Sequence, residues 1–148
     1  MGIEKIIKKD KKHFVECYNR FPICPVKGKN ATCIDEAGKS YIDFGSGIGV
    51  TSLGYCDADW ARAVARQAKT LQHTSNLYYN KAQGQLAGLL TKATGYSKVF
   101  FANSGAEANE CAIKIARKYS FDRYGAGRHQ ILSLVNSFHG RTVTTLSA

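Results

Sequence analysis

The sequence has no long apolar run, and none of its hydrophobic stretches approaches the roughly 20 residues that a helix needs to span a bilayer. Its first residues, MGIEKIIKKDKKHF, also lack the central apolar region of a secretory signal. Mitochondrial transit peptides are rich in arginine and poor in acids, whereas this segment uses lysine and contains Glu4 and Asp10. We therefore expect a cytoplasmic protein without a membrane partner.

Cysteine patterns typical of metal sites or disulfide networks are also missing. The five cysteines are an odd number without a C-x-x-C pair, and the four histidines are scattered along the chain. This spacing predicts free thiols, no disulfide framework and no metal site.

Acidic residues are few, because 11 Asp and Glu face 21 Lys and Arg, which gives a net charge of +10. Such a surplus can indicate nucleic acid, an anionic surface or small anionic substrates. Much of the charge lies in a lysine cluster between Lys5 and Lys12, where Ile3, Ile6 and Ile7 share a helical pattern. The cluster has no aromatic RNA-binding signature, so we interpret it as a solvated helix face and expect no nucleic-acid partner. Nucleic-acid binding driven by charge stays open as an alternative.

What the sequence does contain is a succession of helical and strand-like segments. Helices are predicted at Lys5–Tyr18, after Asp57, at about Lys81–Ala93 and from Ser104 onward; strands are predicted at Ala31–Ile34, Tyr41–Phe44, Val99–Ala102 and Ile131–Val135. The last two strands are apolar and flank a helix, which predicts an α/β fold with a parallel sheet. Between Gly45 and Gly54 the chain is rich in glycine, and this segment is either a flexible connection or backbone that approaches a ligand or another subunit closely.

The most informative stretch is NSGAEANE, Asn103 to Glu110, which follows the first apolar strand and opens a helix. Ser104 and Glu107 fit a capping box, and capping could be all that the motif does. Gly105 and Ala106, however, leave backbone N–H groups accessible at a helix N-terminus, where the helix dipole favours an anion. No Walker or Rossmann pattern is present. The stretch therefore favours a phosphate site.

A second loop, SFHGRT from Ser137 to Thr142, follows the second apolar strand. Ligand loops of parallel sheets lie at the carboxyl ends of strands, so both loops are expected at one edge. Phe138 is either a core aromatic or a platform for a ligand ring. Arg141 begins a predicted helix, where a cation is disfavoured, and this favours a carboxylate partner over a solvent-facing role. His139 is assigned to local structure.

The chain resembles the class III pyridoxal-phosphate-dependent aminotransferases, and within them the acetylornithine aminotransferase branch. The segments YIDFGSGIGVTSLG, HTSNLYYN, FFANSGAEANECAIKIARKY and NSFHGRTVTTLSA are similar to family segments and occur in family order. The resemblance covers about Phe21 to Ala148. It implies pyridoxal 5′-phosphate as the cofactor, the fold type I α/β architecture, and a homodimer with active sites at the subunit interface.

The resemblance also implies roles for single residues. Ser104, Gly105 and Ala106 match the loop that binds the cofactor phosphate. Phe138 matches the aromatic residue that stacks on the pyridine ring. Arg141 matches the arginine that holds the α-carboxylate of the substrate.

Two departures from the family pattern are visible. The family usually has a Gly-His-x-His-Pro run where this chain reads GYCDAD, Gly54 to Asp59, so packing, the interface or substrate choice can differ there. In addition, no lysine matches the one that forms a Schiff base with the cofactor, and no acid matches the partner of the pyridinium nitrogen. We expect the chain to be the N-terminal part of a longer enzyme, without a catalytic residue of its own and inactive by itself.

The expected activity is transfer of the terminal amino group of N-acetylornithine, or of a related ω-amino compound, to 2-oxoglutarate in arginine biosynthesis. Ornithine, succinylornithine and 4-aminobutyrate aminotransferases stay open within the class, and a non-catalytic protein that binds a phosphorylated ligand stays open outside it. We expect residues 1–56 to belong to the small domain and interface, and residues 57–148 to form the first part of the cofactor-binding large domain.

Overall fold

The computed structural model describes residues 2–148, which form two compact units that divide between Ser75 and Asn76. The first unit contains helix α1 (Ile3–His13), strands β1 (Pro25–Lys29), β2 (Thr32–Asp35) and β3 (Ser40–Ile42), the single turn α2 (Ser46–Gly49) and helix α3 (Ala58–Thr70). The second unit contains helices α4 (Lys81–Thr94), α5 (Gly105–Tyr124) and α6 (Val143–Leu146). The domain boundary expected at residues 56 and 57 concerns a whole enzyme and stays a prediction.

The helices begin and end at local capping signals. The Asp57 carboxylate accepts the Trp60 N–H at 2.8 Å at the start of α3, and the Asn80 side chain accepts the Gln83 N–H at 3.0 Å at the start of α4. Gly95 ends α4 with a left-handed φ of 77°, which glycine adopts without a steric penalty. The predicted helices after Asp57, near Lys81 and from Ser104 are therefore confirmed.

Helix α1 is shorter than predicted, because it ends at His13 rather than Tyr18. The backbone becomes extended at Phe14, and the chain then turns back toward the helix. Arg20 forms an ion pair with Asp10, and its guanidinium lies over the rings of Phe14 and Tyr18. These contacts favour the reversal over continued helix.

The sheet of the first unit is antiparallel, in the order β1-β2-β3. The predicted hairpin of β2 and β3 is confirmed. Strand β1 was not predicted, because Pro22 and Pro25 indicate only an extended stretch at this point of the chain. Asp35 closes the hairpin, since its carboxylate accepts the N–H groups of Ala37 and Lys39 and the Tyr41 hydroxyl, each within 3.0 Å. The Tyr41 hydrogen bond lowers the pKa of Asp35.

The Gly-rich segment contains an unusual run of backbone conformations. Residues 46–49 all have positive φ, including Ile48 at 61°, although left-handed backbone is costly for a β-branched residue. The Asp43 carboxylate supports this turn by accepting the N–H groups of Gly45 and Ser46 at 2.7 and 3.0 Å. Tyr55 hydrogen-bonds to Asp43, which raises the pKa of Tyr55 to about 12. The segment is thus a defined turn and not a loose connection.

The two predicted parallel strands are wrong as elements of this structure. Residues 99–102 and 131–135 adopt no regular strand, and the only sheet within residues 2–148 is the antiparallel one. A strand is held by backbone hydrogen bonds to a neighbouring strand, and these two apolar stretches do not pair with each other or with another part of the described chain.

Little apolar surface is covered in either unit. Cys33 is the one buried apolar side chain among residues 2–148, and every residue of α3 is exposed, although its apolar positions share a face. Parallel α/β sheets bury their apolar strands between helix layers, and such layers are incomplete here. No helix of the described residues combines the length and apolarity that crossing a membrane requires.

Candidate cofactor-binding site

The candidate site begins at the N-terminus of α5. Ser104 is the N-cap, and its Oγ accepts the Glu107 N–H at 3.2 Å. The Glu107 carboxylate reaches back to the Asn103 N–H at 2.8 Å, one residue before the N–H that a capping box predicts. Hydrogen bonds from Asn103, with further ones from Ser104, lower the pKa of Glu107. The capping prediction is confirmed for Ser104 and corrected for the partner of Glu107.

Two backbone donors stay available after this capping. Within residues 2–148, the N–H groups of Gly105 and Ala106 donate to no other residue. A Cβ placed on Gly105 would meet no atom within 4 Å, so the space in front of this turn is open. Free N–H groups at the positive end of a 20-residue helix, next to open space, are suited to bind an anion.

The SFHGRT loop lies directly on this turn of α5. The Asn109 amide Nδ2 donates to the His139 carbonyl at 2.7 Å, and the Thr142 hydroxyl donates to Glu110 Oε1 at 2.6 Å. Gly140 is buried between these contacts; a Cβ there would lie 2.6 Å from the Cβ of Ala106. The loop and the helix therefore meet at a distance that only glycine allows.

Helix α6 continues the loop and is anchored in the same way. Thr142 is its N-cap and forms a reciprocal capping box with Thr145, whose side chain is 2% exposed. The Thr142 hydrogen bond lowers the pKa of Glu110, and the positive charge of Lys114 adds to the effect. Because Arg141 immediately precedes the N-cap, the predicted position of this cation at a helix start is confirmed.

Phe138 and Arg141 both face outward from the docked loop. The Phe138 side chain is 76% exposed, which argues against a core role within the described residues. The Arg141 guanidinium carbon lies 5.6 Å from the centre of the Phe138 ring, a cation–π distance. The structure thus places an exposed ring and an exposed cation on one loop that is attached to the N-terminal turn of α5.

Sequence reasoning missed Asn109 and Glu110 as parts of this site. Neither residue was predicted to have a role in the site, although Ala106, Asn109 and Glu110 follow the i, i+3, i+4 spacing of one helix face. His139 was assigned to local structure, and its carbonyl does accept the Asn109 hydrogen bond. Its Nε2 atom is buried without a hydrogen-bond partner among residues 2–148.

Comparison with known proteins identifies the class to which this arrangement belongs. The model of the family described as aminotransferase class-III matches residues 15–148. The chain therefore belongs to the class III aminotransferases, whose members depend on pyridoxal 5′-phosphate.

Individual relatives agree with this assignment. The chain is 50% identical to an acetylornithine aminotransferase of Haemophilus ducreyi over 148 residues, which are 100% of this chain and 38% of that protein. It is 47% identical to an acetylornithine aminotransferase of Methanocaldococcus jannaschii, again over the whole chain and 37% of the relative. The chain thus spans a little over a third of the length of these relatives.

Solved structures share the fold. The ornithine aminotransferase of Toxoplasma gondii superposes with a TM-score of 0.91 at 31% identity, covering 100% of this chain and 35% of that one. The acetylornithine aminotransferase of Elizabethkingia anophelis gives a TM-score of 0.79 at 33% identity, covering 86% and 33%. The chain accordingly follows the path of part of a fold type I α/β enzyme, even where its apolar stretches form no strands.

The residues of the site fit the cofactor of this family. Pyridoxal 5′-phosphate carries a phosphate and an aromatic ring. The open turn at Gly105 offers free N–H donors for the first, and Phe138 offers an exposed ring face for the second.

Proposed function

We propose that this chain forms part of a pyridoxal-phosphate-dependent aminotransferase that moves the terminal amino group of N-acetylornithine, or of a related ω-amino compound, to 2-oxoglutarate. The family supports an amino donor and a keto acid as substrates. The choice of donor rests on relatives that carry the name acetylornithine aminotransferase at about half identity. We further propose a role in arginine biosynthesis, in the cytoplasm, as a homodimer without nucleic-acid or membrane partners.

One observation carries the site assignment: the free N–H groups of Gly105 and Ala106 and the exposed side chains of Phe138 and Arg141 are joined through a loop that packs directly on α5. The backbone N–H groups and the Ser104 hydroxyl would hold the cofactor phosphate. Phe138 would cover one face of the ring and exclude water from it.

Arg141 would bind and orient the substrate. A guanidinium can hold a carboxylate with two parallel hydrogen bonds, which fixes orientation as well as position. When bound, pyridoxal 5′-phosphate supplies an electron sink next to the amino-bearing carbon. The residues described here position the reactants, and we propose that the covalent lysine and the acid near the pyridinium nitrogen belong to the rest of the enzyme. Residues 1–148 alone are then inactive, and amino transfer by this purified polypeptide would contradict the assignment.

The proposal also assigns the two parts of the chain to different domains of the whole enzyme. Residues 1–56 belong to the small domain and the subunit interface, and residues 57–148 form the first part of the large domain. Limited proteolysis of the full-length enzyme, followed by mapping of the cleavage sites, tests this boundary because linkers are cut before compact domains.

The decisive experiment uses the full-length enzyme that contains this chain. Glutamate formation from 2-oxoglutarate is measured with N-acetylornithine, ornithine, succinylornithine and 4-aminobutyrate as donors. The proposal expects the highest kcat/KM with N-acetylornithine. A clear preference for another donor would show that the proposed substrate is wrong, whereas the assignment to the aminotransferases would stand. Arg141→Ala should raise the KM for 2-oxoglutarate at least tenfold, whereas Arg117→Ala, an exposed arginine farther along α5, serves as the matched control.

A further inference from the structure

Two side chains of α5 contact the SFHGRT loop on either side of Arg141 and belong to no role described so far. Asn109 holds the His139 carbonyl, two residues before Arg141, at 2.7 Å. Glu110 accepts a hydrogen bond from Thr142, the residue that follows Arg141, at 2.6 Å. The backbone that carries the guanidinium is therefore held from both sides by neighbouring residues of one helix.

The hydrogen bond between Glu110 and Thr142 has the features of a strong contact. Its acceptor is a carboxylate, and its 2.6 Å length is typical of an O–H donor bonded to a charged oxygen. Both residues are partly shielded from solvent. The Thr142 hydroxyl is itself fixed, because it lies 2.8 Å from the Thr145 hydroxyl in the capping box of α6. Glu110 thus fixes a loop position rather than one side-chain rotamer.

The same helix face sets the distance between loop and helix. Ala106, one turn before Asn109 and Glu110, leaves room only for glycine at position 140. Close packing at Gly140 defines how near the loop comes, and the two polar contacts define its position along the helix. The close contact at Gly140 and the hydrogen bonds from Asn109 and Glu110 together hold residues 138–142 at one position along α5.

We propose that Glu110, assisted by Asn109, is a positioning residue that acts through Thr142 and His139 to aim Arg141 at the carboxylate of the substrate. Glu110 itself does not touch substrate or cofactor. The inference rests on the proposed function, since it takes Arg141 as the group that binds the carboxylate. Its consequence is that carboxylate affinity depends on a side chain that carries the same sign of charge as the ligand.

The sign of this dependence separates positioning from simple electrostatics. Removal of a nearby negative charge would, by Coulomb attraction alone, strengthen the binding of an anionic substrate. Positioning predicts the opposite, because the freed loop no longer presents the guanidinium in one orientation. Glu110→Ala should therefore raise the KM for 2-oxoglutarate and the dissociation constant of succinate by roughly tenfold, with a much smaller change in kcat. Succinate is a useful probe because it carries two carboxylates but no keto group, so it binds without reacting.

The experiment uses the full-length enzyme and four groups of variants. Glu110→Ala and Thr142→Val each remove one partner of the hydrogen bond, and Thr142→Val also removes the N-cap of α6. The double variant should bind succinate no more weakly than the more affected single variant, because the contact between Glu110 and Thr142 is already lost in each single variant. Thr142→Ser keeps the hydroxyl and should restore near wild-type affinity. Asp122→Ala removes an exposed acid from the other end of α5 and is the matched control. Hydrogen exchange of residues 138–146 should rise in Glu110→Ala and in Thr142→Val but not in the control.

The variants distinguish a failure of the positioning role of Glu110 from a failure of the carboxylate site at Arg141. If Arg141→Ala weakens succinate binding tenfold or more while Glu110→Ala and Glu110→Gln leave succinate affinity and exchange at wild-type values, the positioning role is wrong and the proposed function stands. If Arg141→Ala itself has no effect on succinate, the assignment of the carboxylate site fails. Additive effects of Glu110→Ala and Thr142→Val would also overturn the inference. If Glu110→Ala lowers the expression of folded enzyme, Glu110→Leu, which is similar in size but cannot accept a hydrogen bond, and Thr142→Val carry the comparison.

Discussion

Gly140 offers the sharpest test of how the SFHGRT loop is held on α5. A methyl group added there would lie 2.6 Å from the Cβ of Ala106, 2.6 Å from the Thr145 hydroxyl and 2.9 Å from the Ala106 Cα. The two Ala106 atoms cannot be moved by side-chain rotation, so the clash with them cannot be relieved in this way. The φ of Gly140 is 136°, a value that L-residues rarely adopt.

The magnitude of the effect decides what the loop does. Unfavourable backbone conformation costs about 1–3 kcal/mol, and overpacking a tight contact costs about 1–3 kcal/mol more. A typical hydrogen bond such as that between Asn109 and His139 contributes only about 1 kcal/mol. A hydrogen bond to a charged group contributes about 1.5–3 kcal/mol, and the loop has one, from Thr142 to the Glu110 carboxylate. Because the combined strain of about 2–6 kcal/mol is comparable with or larger than the contribution of these two contacts, Gly140→Ala should release the loop from α5 rather than compress it in place.

The assay is hydrogen exchange of residues 138–146 together with succinate binding, both on the full-length enzyme. Gly140→Ala is expected to raise exchange in this segment and to weaken succinate binding at least tenfold. Gly127→Ala is the matched control, since Gly127 also has a positive φ, 99°, but a Cβ there meets no atom within 4 Å. Gly127→Ala should carry a similar cost of unfavourable backbone conformation, but it should not release the SFHGRT loop from α5.

A second variant tests the contact itself. In Gly140→Ala combined with Ala106→Gly, the nearest carbon is removed from the clash, so exchange and succinate affinity should move part of the way back toward wild type. The reasoning would be refuted if Gly140→Ala matched wild type in both measurements, or if Ala106→Gly gave no rescue. The second result would place the strain in the backbone rather than at the interface between loop and helix.

Four further predictions follow from other parts of the molecule. Ser104→Ala should lower helix stability by about 1 kcal/mol through loss of the N-cap and should weaken pyridoxal 5′-phosphate binding, measured by equilibrium titration, whereas Ser133→Ala, at an exposed serine outside the helices, should do neither. The pKa of Glu110 is lowered in the folded chain, so the stability that its charge contributes is present above its ordinary pKa of 4.5 and is lost as the pH falls through the folded pKa. The thermal midpoint should therefore fall more steeply below pH 4.5 in wild type than in Glu110→Gln. Parallel plots of thermal midpoint against pH for the two proteins would contradict this. Tyr55→Phe removes the hydroxyl that bonds to Asp43 and should raise hydrogen exchange in residues 45–54 without changing succinate affinity. Residues 1–148 expressed alone should bind a hydrophobic dye and aggregate, because most of their large apolar side chains are exposed; a monomer with a cooperative thermal transition would count against this.

The parts of the fold that could be predicted from the sequence are those encoded locally. Caps at Asp57 and Ser104 and the left-handed end at Gly95 lie within a few residues of the helices they delimit, so their signals survive in a single sequence. The hairpin of β2 and β3 is likewise closed by one side chain, Asp35, within its own turn. Local chemistry is sufficient for these elements.

The two parallel strands could not be predicted correctly, because strands depend on partners that are distant in the sequence. Residues 99–102 and 131–135 have the apolar composition of buried strands, but strand formation depends on a partner that may come from anywhere in a chain. Composition therefore indicated a buried environment and could not supply the hydrogen-bonding neighbour. Strand β1 was not predicted, because Pro25 indicated an extended segment but gave no sign of its pairing with β2.

The candidate site shows the same limit at the level of single side chains. Ser104, Gly105 and Arg141 carried recognisable chemistry in their own segments. Asn109 and Glu110 were overlooked because their partners lie 30 and 32 residues away.

Helix α5 explains both results, because two of its faces have different surroundings. Ala108, Cys111 and Ile115 form an apolar stripe of the kind that packs against a sheet, and Ile115 is exposed within the described residues. Ala106, Asn109 and Glu110 form a second stripe that is small and polar, and it is already occupied by the SFHGRT loop. The loop can therefore be held at the N-terminal turn of α5 even though Ala108 and Ile115 are exposed within the described residues. A polar substitution such as Ile115→Asn should accordingly destabilise the full-length enzyme without a selective rise in hydrogen exchange at residues 138–142, whereas Glu110→Ala should raise hydrogen exchange selectively in those residues.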